Sequence, residues 1–202
     1  SRQLKQEVFS LRKKLAETTL DKLTLQNELK QYSGAFSISF ETGTTDFELA
    51  EVIGYSGQYQ ERNLIVDKGL GSGIQIGSAV ISATGIVGKI ILVTADHSII
   101  LPFSSPKFQL PVMDTRTGVQ GILQSDISGT VSMNLVKLGS EISVGDTIVT
   151  SNLSRLYPKS YPVGVIKRIR ESQDNLFISA DLTPFTLVEN LEHVFILKKG
   201  KK

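Results

Sequence analysis

The 202 residues carry 22 basic and 20 acidic side chains, a formal charge of +2 that leaves no surplus for a dedicated nucleic-acid binder. Cysteine is absent, which excludes disulfides and thiolate metal centres, and no run of about 18 apolar residues reads as a membrane-spanning helix. The charge is uneven: residues 1–33 sum to +3, residues 34–197 to −5, and the tail from Lys198 to Lys202 adds four lysines. A basic stalk and tail around an acidic body suit work beside an anionic membrane, although a lysine-rich end is equally an ordinary solvated terminus.

The first element predicted is a helix over residues 2–32, uninterrupted by Gly or Pro and dominated by Lys, Glu, Gln and Leu. Leu4, Val8, Leu11, Leu15, Thr18, Lys22, Leu25, Leu29 and Tyr32 follow one another at alternating spacings of four and three. That spacing keeps one stripe on one face of a helix underwound to about 3.5 residues per turn. No second helix follows to cover it, so the stripe predicts a coiled-coil homodimer. Leu4, Val8, Leu11, Leu15, Leu25, Leu29 and Tyr32 are the candidate dimerisation residues; Thr18 and Lys22 weaken the middle and blur the register there. The alternative is a single helix packed on its own β-domain. Ser33-Gly34 is expected to end the helix, because Gly readily takes the left-handed cap conformation. Heptads already in register at Leu4 suggest a piece of a longer chain with an upstream segment.

From Phe47 onward the texture becomes short β-rich runs punctuated by Gly, Asn and Asp. Residues 64–66, 78–81, 85–93, 99–103, 147–150, 163–169, 176–182 and 193–197 read as strands. Their density predicts a mainly β protein of small barrels or sandwiches. An internal echo divides them: Ile74 to Ile81 aligns with Ile142 to Val149, and Ile86 to Ile90 with Pro162 to Ile166. In each copy a turn Gly leads into a strand, and the next strand carries a Gly suited to a bulge or bend. The predicted plan is a coiled-coil helix over 1–33, a linker over 34–46, a first barrel over 47–106, a second over 107–191 and a basic tail over 199–202. The strand at 192–198 could return to the first barrel.

Two histidines are too few for most imidazole-based sites. His97 sits in Thr94-Ala95-Asp96-His97-Ser98, but triad partners converge from separate segments rather than from neighbouring positions, and no nucleophile elbow is present. Gly69-Leu70-Gly71-Ser72-Gly73 lacks both the spacing and the following helix of a phosphate loop. The aspartates at 67, 146, 174 and 181 do not form a calcium loop. The expectation is therefore no catalytic residue, no cofactor and no metal. Tyr55, Tyr59, Phe108, Leu156, Tyr157 and Tyr161 lie in or beside loops; Phe108, Leu156, Tyr157 and Tyr161 are the candidate partner anchors, with the plugging of barrel ends as the structural alternative.

The runs Leu64 to Gly69, Gly73 to Ile81 and Gly85 to Lys89, then Arg116 to Leu123, Val144 to Ser151, Tyr157-Pro158 and Val163 to Ile166, resemble in order the MreC family of rod shape-determining proteins. Asn152 stands where the family usually has Gly, and Ser154-Arg155 and Ser160-Tyr161-Pro162 also depart from its pattern, so the loop from Asn152 to Pro162 is this protein's own. The resemblance implies two loosely trypsin-like, non-catalytic barrels on a dimerising coiled coil. It implies placement on the periplasmic face of the bacterial inner membrane, with a single-pass N-terminal anchor missing from this chain. The implied role is a non-enzymatic scaffold of the cell-wall elongation complex. Such a scaffold binds and activates the class B penicillin-binding transpeptidase, with MreD, RodA and, indirectly, MreB as further partners. The rival reading is a periplasmic adaptor of an efflux or secretion pump, although such adaptors usually insert a helical hairpin into a β-domain.

Overall fold

The computed structural model describes residues 2–35, 46–58, 61–171 and 175–198. The linker and basic tail predicted at 34–46 and 199–202 therefore fall largely outside it, as does Tyr59. The chain divides into an N-terminal unit, Ser1–Ser39, and a β unit, Phe40–Lys202.

Helix α1 spans Arg2–Ala35, about 50 Å at 1.5 Å per residue. It runs through Ser33-Gly34 instead of stopping there, since a glycine inside a helix costs only about 1 kcal/mol and need not end it. The polar residues near its weak middle are accommodated within the helix. The hydroxyls of Thr18, Thr19 and Thr24 donate to the carbonyls of Lys14, Leu15 and Leu20 at 2.7–2.9 Å.

The β unit holds twelve described strands: β1 Asp46–Ser56, β2 Asn63–Val66, β3 Ala79–Ile81, β4 Ile86–Val93, β5 Ser98–Pro102, β6 Gln109–Asp114, β7 Gln120–Ser125, β8 Val131–Lys137, β9 Thr147–Thr150, β10 Pro162–Glu171, β11 Phe177–Pro184 and β12 His193–Lys198. They close into two antiparallel six-stranded barrels, ordered β1-β12-β3-β4-β5-β2 and β10-β11-β8-β7-β6-β9. Strand β12 lies between β1 and β3, so the polypeptide leaves the first barrel, builds the second and comes back. Leu64, Ile81, Ile86, Ile90 and Ile100 fill the first core; Leu123, Met133, Ile148, Ile166 and Leu182 fill the second.

The sequence echo is a structural repeat down to single hydrogen bonds. The amides of Gly77 and Gly145, both at positive φ, donate to the carbonyls of Ile90 and Ile166 at 2.7 and 2.8 Å. The amides of Ile90 and Ile166 return bonds to Ser78 and Asp146 at 2.9 and 3.0 Å. Pro102 pairs with Gly88 as Pro184 pairs with Gly164. At both in-strand glycines a Cβ would press into the backbone of the neighbouring strand, at Leu101-Pro102 and at Thr183-Pro184. These glycines let the strands approach closely where the barrel bends.

The two copies differ most in one connection. Ser82 and Gly85 face each other across two residues, whereas Thr150 and Tyr161, which make the matching amide-to-carbonyl bond, are separated by ten. The longer loop carries Tyr157.

Candidate interaction surfaces

On α1 the first half of the predicted stripe is exposed. Leu4, Leu11 and Leu15 are 61–68% exposed and Val8 43%, while Leu25 is half-buried. Phe9, Leu20 and Leu23, just off the stripe, are also exposed. The side chains of Leu29 and Tyr32 lie outside the described residues. A row of large apolar side chains on a helix is costly in water unless something covers it.

Of the four candidate anchors in the β unit, three are buried and so are not free surface. Tyr157 and Tyr161 project from the long second-barrel loop into the first barrel. Tyr161 donates its hydroxyl to the Ser82 carbonyl at 2.6 Å, and Tyr157 donates to the Gly88 carbonyl. Burial pushes both phenols well above their ordinary pKa, so both remain neutral donors. Phe108 is among the largest fully buried side chains. A ring on a loop reads as an exposed anchor, but here the loops lie at the inter-barrel seam, where an amphipathic ring buries its body and bonds through its tip. Leu156 alone of the four is exposed, at 42%.

The seam is polar as well as apolar. Ser82 and Thr84 hydroxyls lie 3.0 and 2.8 Å from that of Thr186, and Ser125 donates to the Phe103 carbonyl at 2.9 Å. Each buried hydroxyl thus has a partner, which makes the docking of the two barrels geometrically specific. Tyr161→Phe is expected to cost about 1–2 kcal/mol by leaving the Ser82 carbonyl unsatisfied. Tyr55→Phe, which loses only an exposed 3.3 Å bond to the Glu189 carbonyl, is expected to cost far less. Urea denaturation of the two variants checks the difference.

The polar islands singled out in the sequence prove to be turns. His97 Nδ1 lies 2.7 Å from Asp96 Oδ1 at an exposed tip, while the neighbouring Ser98 is buried and donates to the Lys68 carbonyl at 2.6 Å, away from that pair. In the Gly-rich stretch, the amides of Leu70 and Gly71 donate to the carbonyls of Thr94 and Ala95. A Cβ on Gly69 would sit 2.8 Å from the amide nitrogens of Asp96 and His97, so close packing of two turns explains that glycine.

Two fully buried carboxylates are perturbed: Asp114, which the sequence reading did not single out, and Asp181, weighed there only as a calcium ligand. Asp114 is fully buried, accepts from the Arg116 amide at 2.8 Å through Oδ1, and faces the Asp146 carboxylate with an Oδ2 that has no donor. Burial first, and Asp146 second, raise its pKa to about 6. Asp146 is held well below the carboxylate range by the Arg116 guanidinium, 2.9 Å away. The second, Asp181, is fully buried under Arg168 and Arg170. Burial pushes it up, but hydrogen bonds from Arg168, Ser132 and Arg170 outweigh that and hold it low.

A long helix that exposes Leu4, Val8, Leu11 and Leu15, preceding in sequence two fused six-stranded barrels whose polar loops are tied up in turns, defines a class of helix-plus-double-barrel proteins. The chain belongs to the MreC family: the profile described as "Rod shape-determining protein MreC, barrel core" matches residues 52–198. It is 27% identical over 191 residues to the cell shape-determining protein MreC of Haemophilus influenzae, covering 93% of this chain and 54% of that protein. The chain thus spans about half the length of that relative. Among solved structures, MreC of Listeria monocytogenes superposes with a TM-score of 0.71 at 20% identity, covering 94% of this chain and 93% of the other. An MreC chain from a Helicobacter pylori complex of penicillin-binding protein PBP2 and MreC matches with a TM-score of 0.64 at 17% identity, covering 76% and 98%. These likenesses establish the fold.

Proposed function

We propose that the chain is a non-enzymatic scaffold that maintains bacterial cell shape by dimerising through α1 and presenting its barrels to a class B penicillin-binding transpeptidase. The observation that carries this reading is the exposed stripe of Leu4, Val8, Leu11 and Leu15 on a helix of 34 residues. Its heptad spacing matches what a second copy of the same helix would bury. Membership of the MreC family and the Helicobacter pylori complex support the choice of partner. The work is done outside the cell membrane, with MreD, RodA and MreB linked to the same assembly. Two barrel pairs on one stalk raise the effective concentration of any bound partner without a new contact. The pump-adaptor alternative loses its ground, because no helical hairpin divides either barrel among the described residues.

Leu11→Asp combined with Leu25→Asp places charge in the stripe and is expected to convert a dimer to monomer, read by sedimentation equilibrium. Retention of the transpeptidase by the wild-type chain on a column, with weaker retention of the monomeric variant, checks the bivalent part. Equal mass for both proteins would sink the dimer.

A further inference from the structure

On the outer wall of the second barrel, two guanidinium groups are locked side by side on one hidden carboxylate. Arg168 sends Nε and Nη2 to Asp181 Oδ2 at 3.0 and 2.6 Å. Arg170 sends Nε and Nη2 to Oδ1 at 3.0 and 2.7 Å, with Nη2 also 3.4 Å from Ser132 Oγ. Asp181 is fully buried, whereas the two arginine side chains are 66% and 48% exposed. One negative charge thus anchors two positive ones, and the Nη1 amino group of each arginine has no protein partner among the described residues.

The repeat shows that the barrel does not require this cluster. Arg168 opposite Asp181 in β10 and β11 corresponds to Leu92 opposite Ile99 in β4 and β5. The first barrel closes with an aliphatic pair at the same place. In the second, pairing on one shared carboxylate brings two long side chains to rest before any ligand arrives, which removes most of the ordering cost of binding. Two adjacent unfilled N–H edges match a tetrahedral oxyanion that can bridge both, better than a carboxylate with a single edge.

We propose that Arg168 and Arg170, held by Asp181 and Ser132, form a phosphoryl-binding plate on the second barrel. Among the described residues, the nearby negative groups leave it open. Asp126, which lies within electrostatic reach of Arg170, accepts from the Ser128 amide and hydroxyl and the Thr130 amide of its own loop. Glu171 falls on the opposite side of β10 from Arg170 by strand alternation, and Lys167, the extra residue of the bulge beside Arg168, is exposed and adds positive charge.

The test titrates the chain with inorganic phosphate against chloride at equal ionic strength while following the arginine Nε–Hε resonances by NMR. Saturable shifts are expected for Arg168 and Arg170, with Arg116, engaged on Asp146, unmoved. Arg168→Leu with Asp181→Ile copies the first barrel and is expected to stay folded, by circular dichroism, and to lose the response. Arg170→Gln, which keeps Asp181 paired with Arg168, is expected to weaken it several-fold. Shifts that do not saturate, that include Arg116 equally, or that survive both variants overturn the proposal. Co-sedimentation with phosphatidylglycerol but not phosphatidylcholine vesicles, abolished by Arg170→Gln, assigns the phosphoryl group to a lipid headgroup. Phosphate saturation without sedimentation assigns it to a soluble phosphorylated ligand. Absence of both responses overturns the site.

Discussion

Gly88→Ala is expected to be among the most damaging single-methyl changes in the β unit, at about 3 kcal/mol or more. The added Cβ would lie well inside contact distance of the Leu101 carbonyl oxygen, 2.8 Å from its carbon and 2.9 Å from Pro102 Cα. All three are backbone atoms of the paired strand β5, so relief requires moving the strand rather than a side chain. The Gly88 carbonyl also receives the Tyr157 hydroxyl, so any shift is transmitted to the inter-barrel seam. Gly164→Ala, which meets the Thr183 carbonyl oxygen at 2.5 Å and Pro184 Cα at 3.0 Å, is expected to act alike in the second barrel. Gly77→Ala is the control, with positive φ but nothing within 4 Å, and should cost only about 1–2 kcal/mol. Equal urea midpoints for Gly88→Ala and Gly77→Ala would refute the close-approach explanation.

Asp114→Asn is expected to stabilise the protein at neutral pH, the reverse of the usual result for a buried polar substitution. The folded state raises the Asp114 pKa from 3.8 to about 6, so it binds the proton more tightly than the unfolded chain. The stabilisation from that proton is complete below 3.8 and is lost as pH rises to about 6. Above that the molecule carries a buried carboxylate beside Asp146. At about 1.4 kcal/mol per pKa unit the upper bound is about 3 kcal/mol, and the coupling of the two carboxylates makes about 1–3 kcal/mol the expected range. Asparagine keeps an oxygen for the Arg116 amide and turns an NH2 toward Asp146. Its pH profile should lack the loss of stability that Asp114 contributes between 3.8 and about 6. Asp146 works in the opposite sense, since its contribution is lost only as pH falls below the ordinary carboxylate range. Thermal melts of the two proteins from neutral to mildly acid pH test this; an Asn variant less stable at neutral pH would contradict it.

Eight of the strands were legible from period-two apolar runs between turn residues, and the reasons for missing four are local. β6 carries Pro111 at its centre and places Asp114 at an inward position, so its pattern reads as a broken strand. β7 faces inward with Gly121, Leu123 and Ser125, of which only one is a large apolar residue. β8 is bulged against β11, and Leu135 takes a φ of 56°, which shifts the alternation midway. β1 has an irregularity between Val52 and Gly54. The helix and the exposed apolar run of Leu4, Val8, Leu11 and Leu15 were readable, because heptad spacing needs no tertiary information. Seam residues were not: Tyr157 and Tyr161 look like surface aromatics until the repeat is aligned. The eight extra residues between Thr150 and Tyr161 then show that the second copy reaches across to the first. The same alignment sets Leu92 against Arg168 and Ile99 against Asp181, the one trace in the sequence of the charged plate.

Because β12 slots between β1 and β3, vectorial synthesis imposes an order on maturation. All strands of the distal barrel emerge from the ribosome before the proximal one receives its sixth, which joins partners more than a hundred positions apart. Until then the flanks of β1 and β3 are raw edges, open to wrong neighbours and to holdase chaperones. Premature termination between Pro184 and His193 would therefore spare the later-encoded half and leave the earlier one gaping.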